Sequence, residues 1–201
     1  MERAPLPPFH TDLAAAEAEL WRLLADGVER GRSAFHTPSL ATVDAGGRPR
    51  VRTVVLRAVE RGAGTLRIHC DRRSDKAGEI AARGACALHA YDPETAVQIR
   101  VEGTATLHAG DAVADAAWDA SRPMSRICYG IDPAPGTALP SGGAYALPEP
   151  GDATDAGRSR FCALVLRAER LDFLYLDRRG HRRAGWRRTG EGGWTGTWLA
   201  P

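Results

Sequence analysis

The 201-residue sequence contains a single lysine, Lys76, against 26 arginines, and it has no Cys-x-x-Cys pair. It also lacks any apolar run approaching the roughly 20 residues that a membrane-spanning helix needs. Each absence removes a class of protein. Cys70, Cys86, Cys128 and Cys162 are scattered, which reads as small buried hydrophobes, and the six histidines show no metal-ligand spacing. No metal is expected. The net charge is only +2, and no stripe of interleaved aromatic and basic residues is present, which argues against a nucleic-acid partner. The N-terminal "MERAPLPPFHTDLAAAEAEL" carries acids where a secretory signal has its apolar core, so a cytoplasmic location with no membrane partner is expected. At 43% hydrophobic residues the composition is that of a folded chain, and the length suits one domain over residues 1–201.

The retained lysine is informative. An ammonium is a compact point donor on a flexible stem, whereas a guanidinium is a planar fork, and the two are not interchangeable at a tight anion site.

Local patterns give the elements. Residues 11–30 are predicted to form a helix, with Leu13, Leu20, Leu24 and Val28 near helical spacing, Thr11 or Asp12 as cap and Gly31 as stop. With the Pro-rich arm before it, this makes an N-terminal segment of residues 1–32. "SLATVDAGGRPRVRTVVLRAVE" reads as two strands joined at a turn, and "GTLRIHCD" as a third strand. "RRSDKAGEIAARG" reads as a helix capped by Ser74 and ended by Gly84. "ACALHAY" and "AVQIRVEGTATLH" follow as strands, then a second short helix ended by Pro123. Residues 130–158 form a Pro/Gly-rich loop within the domain, and three strands close the chain. The order predicts a small closed β-barrel with helical decoration.

Polar groups recur at strand ends. In "VRTVVLRA", residues 51–58, alternation puts Arg52 and Arg57 on opposite faces of an otherwise apolar strand. Ser74 and Lys76 open a helix, where free N–H groups and the dipole favour a phosphate, and a nearby Arg adds charge-assisted hydrogen bonds. Gln98 lies in an apolar strand and offers both donor and acceptor, as recognition of a heterocycle edge requires.

"RVRTVVLRAV", "LRIHCDRRSDKAGEI" and "AVQIRVEGTATL", in this order and spacing, resemble the FMN-binding core of the pyridoxamine 5'-phosphate oxidase family, from about Phe35 to Leu107 and more loosely to the C-terminus. The resemblance implies a mainly β fold with helices, a six-stranded antiparallel Greek-key split barrel. It also implies a homodimer with FMN in clefts between subunits, and an oxidoreductase that moves hydride between a small substrate and the flavin. By position, Arg52, Ser74 and Lys76 would bind the FMN phosphate. Thr53, Val54 and Val55 would present backbone groups to the flavin, and His69 and Cys70 would stand beside it. Gln98 would reach the flavin from the facing side, and Arg183 would meet FMN. Arg57 would touch flavin and substrate. "WDASRPMSR" resembles the segment that grips the substrate phosphate, giving Trp118, Arg122 and Ser125. "RRGHRR" resembles a motif in which Arg179 and His181 meet the substrate, His181 being the best candidate for a base. The alternative on the same barrel is a non-catalytic binder of flavin or haem.

The chain departs from the family pattern at Asp75, Trp118, Leu174 and the 130–158 loop. The motifs thus imply FMN binding without specifying oxidation of pyridoxamine phosphate itself.

Overall fold

The computed structural model describes residues 5–148, 153–190 and 192–201. The first four residues of the N-terminal arm and residues 149–152 of the Pro/Gly-rich loop lie outside them. Helix α1 (Leu13–Glu29) is capped by Asp12, whose carboxylate accepts from the N–H groups of Ala14 and Ala15. It buries Ala16, Leu20, Trp21, Leu23 and Leu24 against the sheet. Full burial of each large side chain is worth about 1.5–3 kcal/mol. No helix among the described residues is long and apolar enough to cross a membrane.

Among the described residues nine strands form one antiparallel sheet: β1 (Ser39–Val43), β2 (Pro49–Thr53), β3 (Leu56–Glu60), β4 (Thr65–Asp71), β5 (Ala85–Asp92), β6 (Val97–His108), β7 (Phe161–Tyr175), β8 (Arg182–Arg188) and β9 (Trp194–Leu199). The main path runs β2-β1-β5-β6-β7-β4-β3, with β8 on the later half of β7 and β9 beyond it. The sheet therefore differs from the expected closed six-stranded barrel: it has nine strands, and its edge strands β2 and β3 are not hydrogen-bonded to each other. Those edges are nonetheless consecutive in sequence. Only Val54 and Val55 join them, and two linking residues span at most about 10 Å. The sheet must curl until its edges nearly meet, which is a split barrel.

Strand β7 explains the nine strands. Its first half pairs with β4, its second half with β8, and β6 follows its whole length. At the changeover β6 has a register shift between Glu102 and Gly103, where a Cβ on Gly103 would lie 2.0 Å from the Arg167 carbonyl oxygen. Only glycine admits that approach.

Helix α2 (Asp75–Arg83) packs Ala77 and Ile80 on the core and ends at Gly84 with φ 68°. Pro123 does not end a helix. It occupies the first turn of α4 (Pro123–Gly130), which follows α3 (Ala112–Asp119), because a first-turn proline gives up no hydrogen bond. The far end of the expected 130–158 loop is also helical, as α5 (Ala153–Arg160).

Candidate functional site

The strand-to-helix step builds a cationic cleft. Ser74 stands at the N-cap of α2, but its buried hydroxyl donates to the Asp71 carbonyl at 2.6 Å, so the first turn of α2 has no side-chain cap. Arg73 clamps this turn, with Asp71 at 2.7 Å and the Ile131 carbonyl at 2.9 Å. Beside it opens a cleft of about 450 Å³ lined by Arg50, Arg52, Ser74 and Lys76. Glu79 of α2, almost fully buried, holds Arg52 at 2.8 Å and accepts from Thr42 Oγ1 at 2.5 Å. The Arg50 guanidinium is 3.9 Å from both Asp75 and Glu79. Lys76 makes no ion pair among the described residues. It is the uncompensated cation of the cleft.

The break at Val54–Val55 sends Arg57 elsewhere. Thr53, at the end of β2, is exposed; Val54 is buried, with its N–H donating to the Pro38 carbonyl at 2.9 Å; Val55 is half-buried. In β3, Leu56 faces Ile68 and Ala58 faces Arg67, so Arg57 is the extra residue of a β-bulge. Bulges re-aim side chains. Arg57 turns into a second cleft of about 150 Å³, shared with Arg67, His69, Ser121, Arg122 and Ser125. The three guanidinium groups have no carboxylate partner among the described residues, and Nε of Arg57, Nε of Arg67 and Nε2 of His69 are buried without hydrogen bonds.

Burial, then Arg67 and Arg57, lower the pKa of His69 to about 4, so its imidazole is neutral. Ser121 spends its proton on the Ala117 carbonyl at 2.8 Å and lies 3.4 Å from His69 Nδ1. Nδ1 is then the donor, and the Nε2 lone pair is buried without a partner in the wall of the cleft. Such a weakly basic nitrogen is an acceptor for a ligand, not a proton-abstracting base.

Two expected site residues are core residues instead. Cys70 faces inward on β4, in contact with Cys162. Trp118 is 4% exposed and packs edge-on against Phe161, with the Arg126 guanidinium over its ring. Neither side chain lines either of these two clefts, since alternation on β4 and the inner face of α3 point them at the sheet.

The C-terminal residues group separately. Gln98, Leu174 and Arg183 form one cross-strand row on β6, β7 and β8. Gln98 Oε1 is 3.1 Å from His89 Nε2, and Arg183 pairs with Asp172, which also binds Arg100 at 2.9 Å. In the turn before β8, Arg179 grips Asp177 at 2.9 Å and holds its carboxyl far below the usual range. The Asp177 N–H donates to Nδ1 of exposed His181 at 3.2 Å.

The structure therefore gathers Arg52, Ser74 and Lys76 in one cleft and Arg57, His69, Arg122 and Ser125 in another, with Gln98, Arg179, His181 and Arg183 in neither. Arg67, Ser121 and Glu79 were not anticipated. Arg67 had a signal, because it shares the outward face of β4 with His69 at a spacing of two. Glu79 had none, since its partner Arg52 is 27 residues away.

Comparison with known proteins agrees with this geometry. Residues 18–109 match the family model described as pyridoxamine 5'-phosphate oxidase, FMN-binding domain. The chain is 29% identical over 168 residues to pyridoxine/pyridoxamine 5'-phosphate oxidase 2 of Arabidopsis thaliana, covering 78% of this chain and 83% of the relative. A crystal structure of a pyridoxamine 5'-phosphate oxidase-related, FMN-binding protein from Nostoc punctiforme superposes with TM-score 0.69 at 28% identity, over 98% of this chain and 100% of that one. PhzG from Burkholderia lata, solved with tetrahydrophenazine-1-carboxylic acid, reaches TM-score 0.69 at 21% identity, over 98% of both chains, and shares the fold. The three motifs, the split sheet and these relatives agree: residues 18–109 are similar to the FMN-binding domain of the pyridoxamine 5'-phosphate oxidase family, and the chain shares the split-barrel fold of its FMN-binding relatives.

Proposed function

We propose that this protein is an FMN-dependent oxidoreductase acting on a small anionic substrate. The observation that carries the substrate class is the second cleft, where Arg57, Arg67 and Arg122 converge with no carboxylate among the described residues to neutralise them. Clustered guanidinium groups without internal partners suit a phosphate or carboxylate brought by a ligand. The Arabidopsis relative is named for phosphate esters, which fits that chemistry.

The residues present fit FMN. The phosphate end is supported by Lys76, Arg52 and the uncapped first turn of α2. Bound FMN supplies the hydride-accepting ring, and the protein orients it. In this reading Thr53, Val54 and Val55 offer backbone groups along the ring edge, at the break between the two cationic clefts. Arg57 stands at the junction, Arg122 and Ser125 hold the substrate anion, and neutral His69 accepts a hydrogen bond from substrate. The reaction calls for no strong base here, and His69 is too weak to be one.

Gln98 and Arg183, with Arg179 and His181, lie in neither cleft. Their part in the same reading is to complete the site of a second copy in a homodimer.

The test is anaerobic mixing of FMN-loaded protein with pyridoxamine 5'-phosphate and pyridoxine 5'-phosphate, alongside their dephosphorylated forms. Bleaching of the flavin by phosphorylated compounds alone is the expected result. Tight FMN binding with no bleaching by any anionic amine or alcohol would leave a flavin carrier in place of an enzyme.

A further inference from the structure

Three of the four cysteines are buried, and two of them meet. Cys70 on β4 and Cys162 on β7 are directly opposed in the antiparallel register, and their sulfurs are 3.2 Å apart. Opposed residues in antiparallel strands have Cα atoms about 4.5–5.5 Å apart, inside the window of about 4.4–6.8 Å that a disulfide spans. Closing to the roughly 2.05 Å of an S–S bond needs about 1 Å of sulfur movement, within reach of small side-chain rotations.

We infer that Cys70 and Cys162 form a redox-active thiol pair that peroxide converts to a cross-strand disulfide. The two thiols are not equivalent. The Cys162 thiol donates to the Cys70 carbonyl oxygen at 3.3 Å, which holds its proton on Cys162, and the two sulfurs are in contact. The contact with Cys162 and, more weakly, the Lys76 ammonium lower the pKa of Cys70 against the opposing effect of its burial, while contact with Cys70 and burial both raise that of Cys162. Cys70 is therefore the attacking sulfur and Cys162 the resolving one.

The step balances with hydrogen peroxide as oxidant. The Cys70 thiolate attacks one peroxide oxygen, the O–O bond breaks, and Cys70 becomes a sulfenic acid while the departing hydroxide takes up the proton that Cys70 had released and leaves as water. Cys162 sulfur then attacks Cys70 sulfur, expelling the hydroxyl, which takes the Cys162 proton and leaves as a second water. Two thiols are oxidised and one peroxide is reduced. The oxidant must be small, because Cys70 is 3% exposed and Cys162 fully buried.

The exposed Cys128 reacts by a separate route, so the experiment uses a Cys128→Ser background. Full-length protein is titrated with hydrogen peroxide, denatured in an alkylating agent, weighed intact and digested. The expected result is loss of two hydrogens, a free-thiol count lower by two, and a Cys70–Cys162 linked peptide. Cys162→Ser is expected to stop the reaction at a Cys70 oxygen adduct, and Cys70→Ser to leave Cys162 reduced. Retention of all thiols at peroxide excess, over-oxidation without a linked peptide, or a Cys86 linkage would each overturn the inference. Should either variant fold poorly, the linked peptide in the Cys128→Ser protein decides alone.

Discussion

Lys76→Ala separates phosphate recognition from folding better than any other change at the first cleft. Lys76 makes no ion pair among the described residues, so its loss is expected to cost the cofactor-free fold under about 0.5 kcal/mol. A charge-assisted hydrogen bond to phosphate is worth about 1.5–3 kcal/mol, so the FMN dissociation constant should rise roughly 10- to 150-fold. Arg52→Ala behaves differently, because Arg52 is the partner of Glu79, whose side chain is 8% exposed. Loss of that partner should cost about 2–3 kcal/mol, short of the full cost for a wholly buried pair because Arg52 is partly solvated and Glu79 keeps Thr42 and the more distant Arg50. For a chain of this length that is a fall in Tm of roughly 4–12 °C, in addition to weaker FMN binding. Glu79→Gln keeps a neutral acceptor for Thr42 and Arg52 and removes a negative charge from the cleft, so FMN affinity should hold or improve. Flavin-fluorescence titration with FMN and with riboflavin, beside cofactor-free thermal melts, reads all three variants. Riboflavin has no phosphate, so its affinity should survive Lys76→Ala unchanged. Equal losses for both flavins, or no loss for either, would refute the phosphate assignment.

Other expectations follow from the second cleft and the sheet. Arg122→Ala should raise KM for a phosphorylated substrate by roughly tenfold or more while leaving FMN affinity unchanged, as steady-state kinetics and titration would show. His69 is held at about 4 in the folded protein against 6.5 in the unfolded chain. Its contribution is therefore fully present above pH 6.5 and is lost as pH falls from 6.5 toward 4, because the unfolded state binds the proton first. The full shift corresponds to about 3.4 kcal/mol, which residual solvent access reduces to roughly 2–3 kcal/mol. Urea unfolding of His69→Asn at several pH values should show a correspondingly smaller acid slope. Gly103→Ala drives a methyl group into the Arg167 carbonyl and should destabilise the fold by roughly 3 kcal/mol or more, read by chemical denaturation.

Much of the fold was legible because its signals are local. Alternation in "GTLRIHCD" and "AVQIRVEGTATLH", the Asp12 cap of α1, the Gly84 stop of α2, and the turn formers between strands each act within a few residues. The first cleft was legible for the same reason, since Ser74 and Lys76 sit on one turn of chain. What escaped was set by contacts distant in sequence. Trp118 and Cys70 look like site residues when matched by position, yet packing of α3 and β4 on β7 commits both to the core. Arg67 and Arg122 are 55 positions apart, and only the meeting of β4 with the start of α4 brings them into one cleft.

By itself, the sequence determined that the chain is a mainly β domain with one retained lysine at an anion-favouring helix start, and that "VRTVVLRA" carries two cations on opposite faces. Tertiary structure alone decided what that stretch becomes. A free strand would continue through residues 51–58. Here the chain must pass from one edge of a curled sheet to the other, so it breaks at Val54–Val55 and bulges at Arg57. That break gives Arg52 to the first cleft and Arg57 to the second, because which face a strand residue presents depends on pairing with partners that lie far away in sequence.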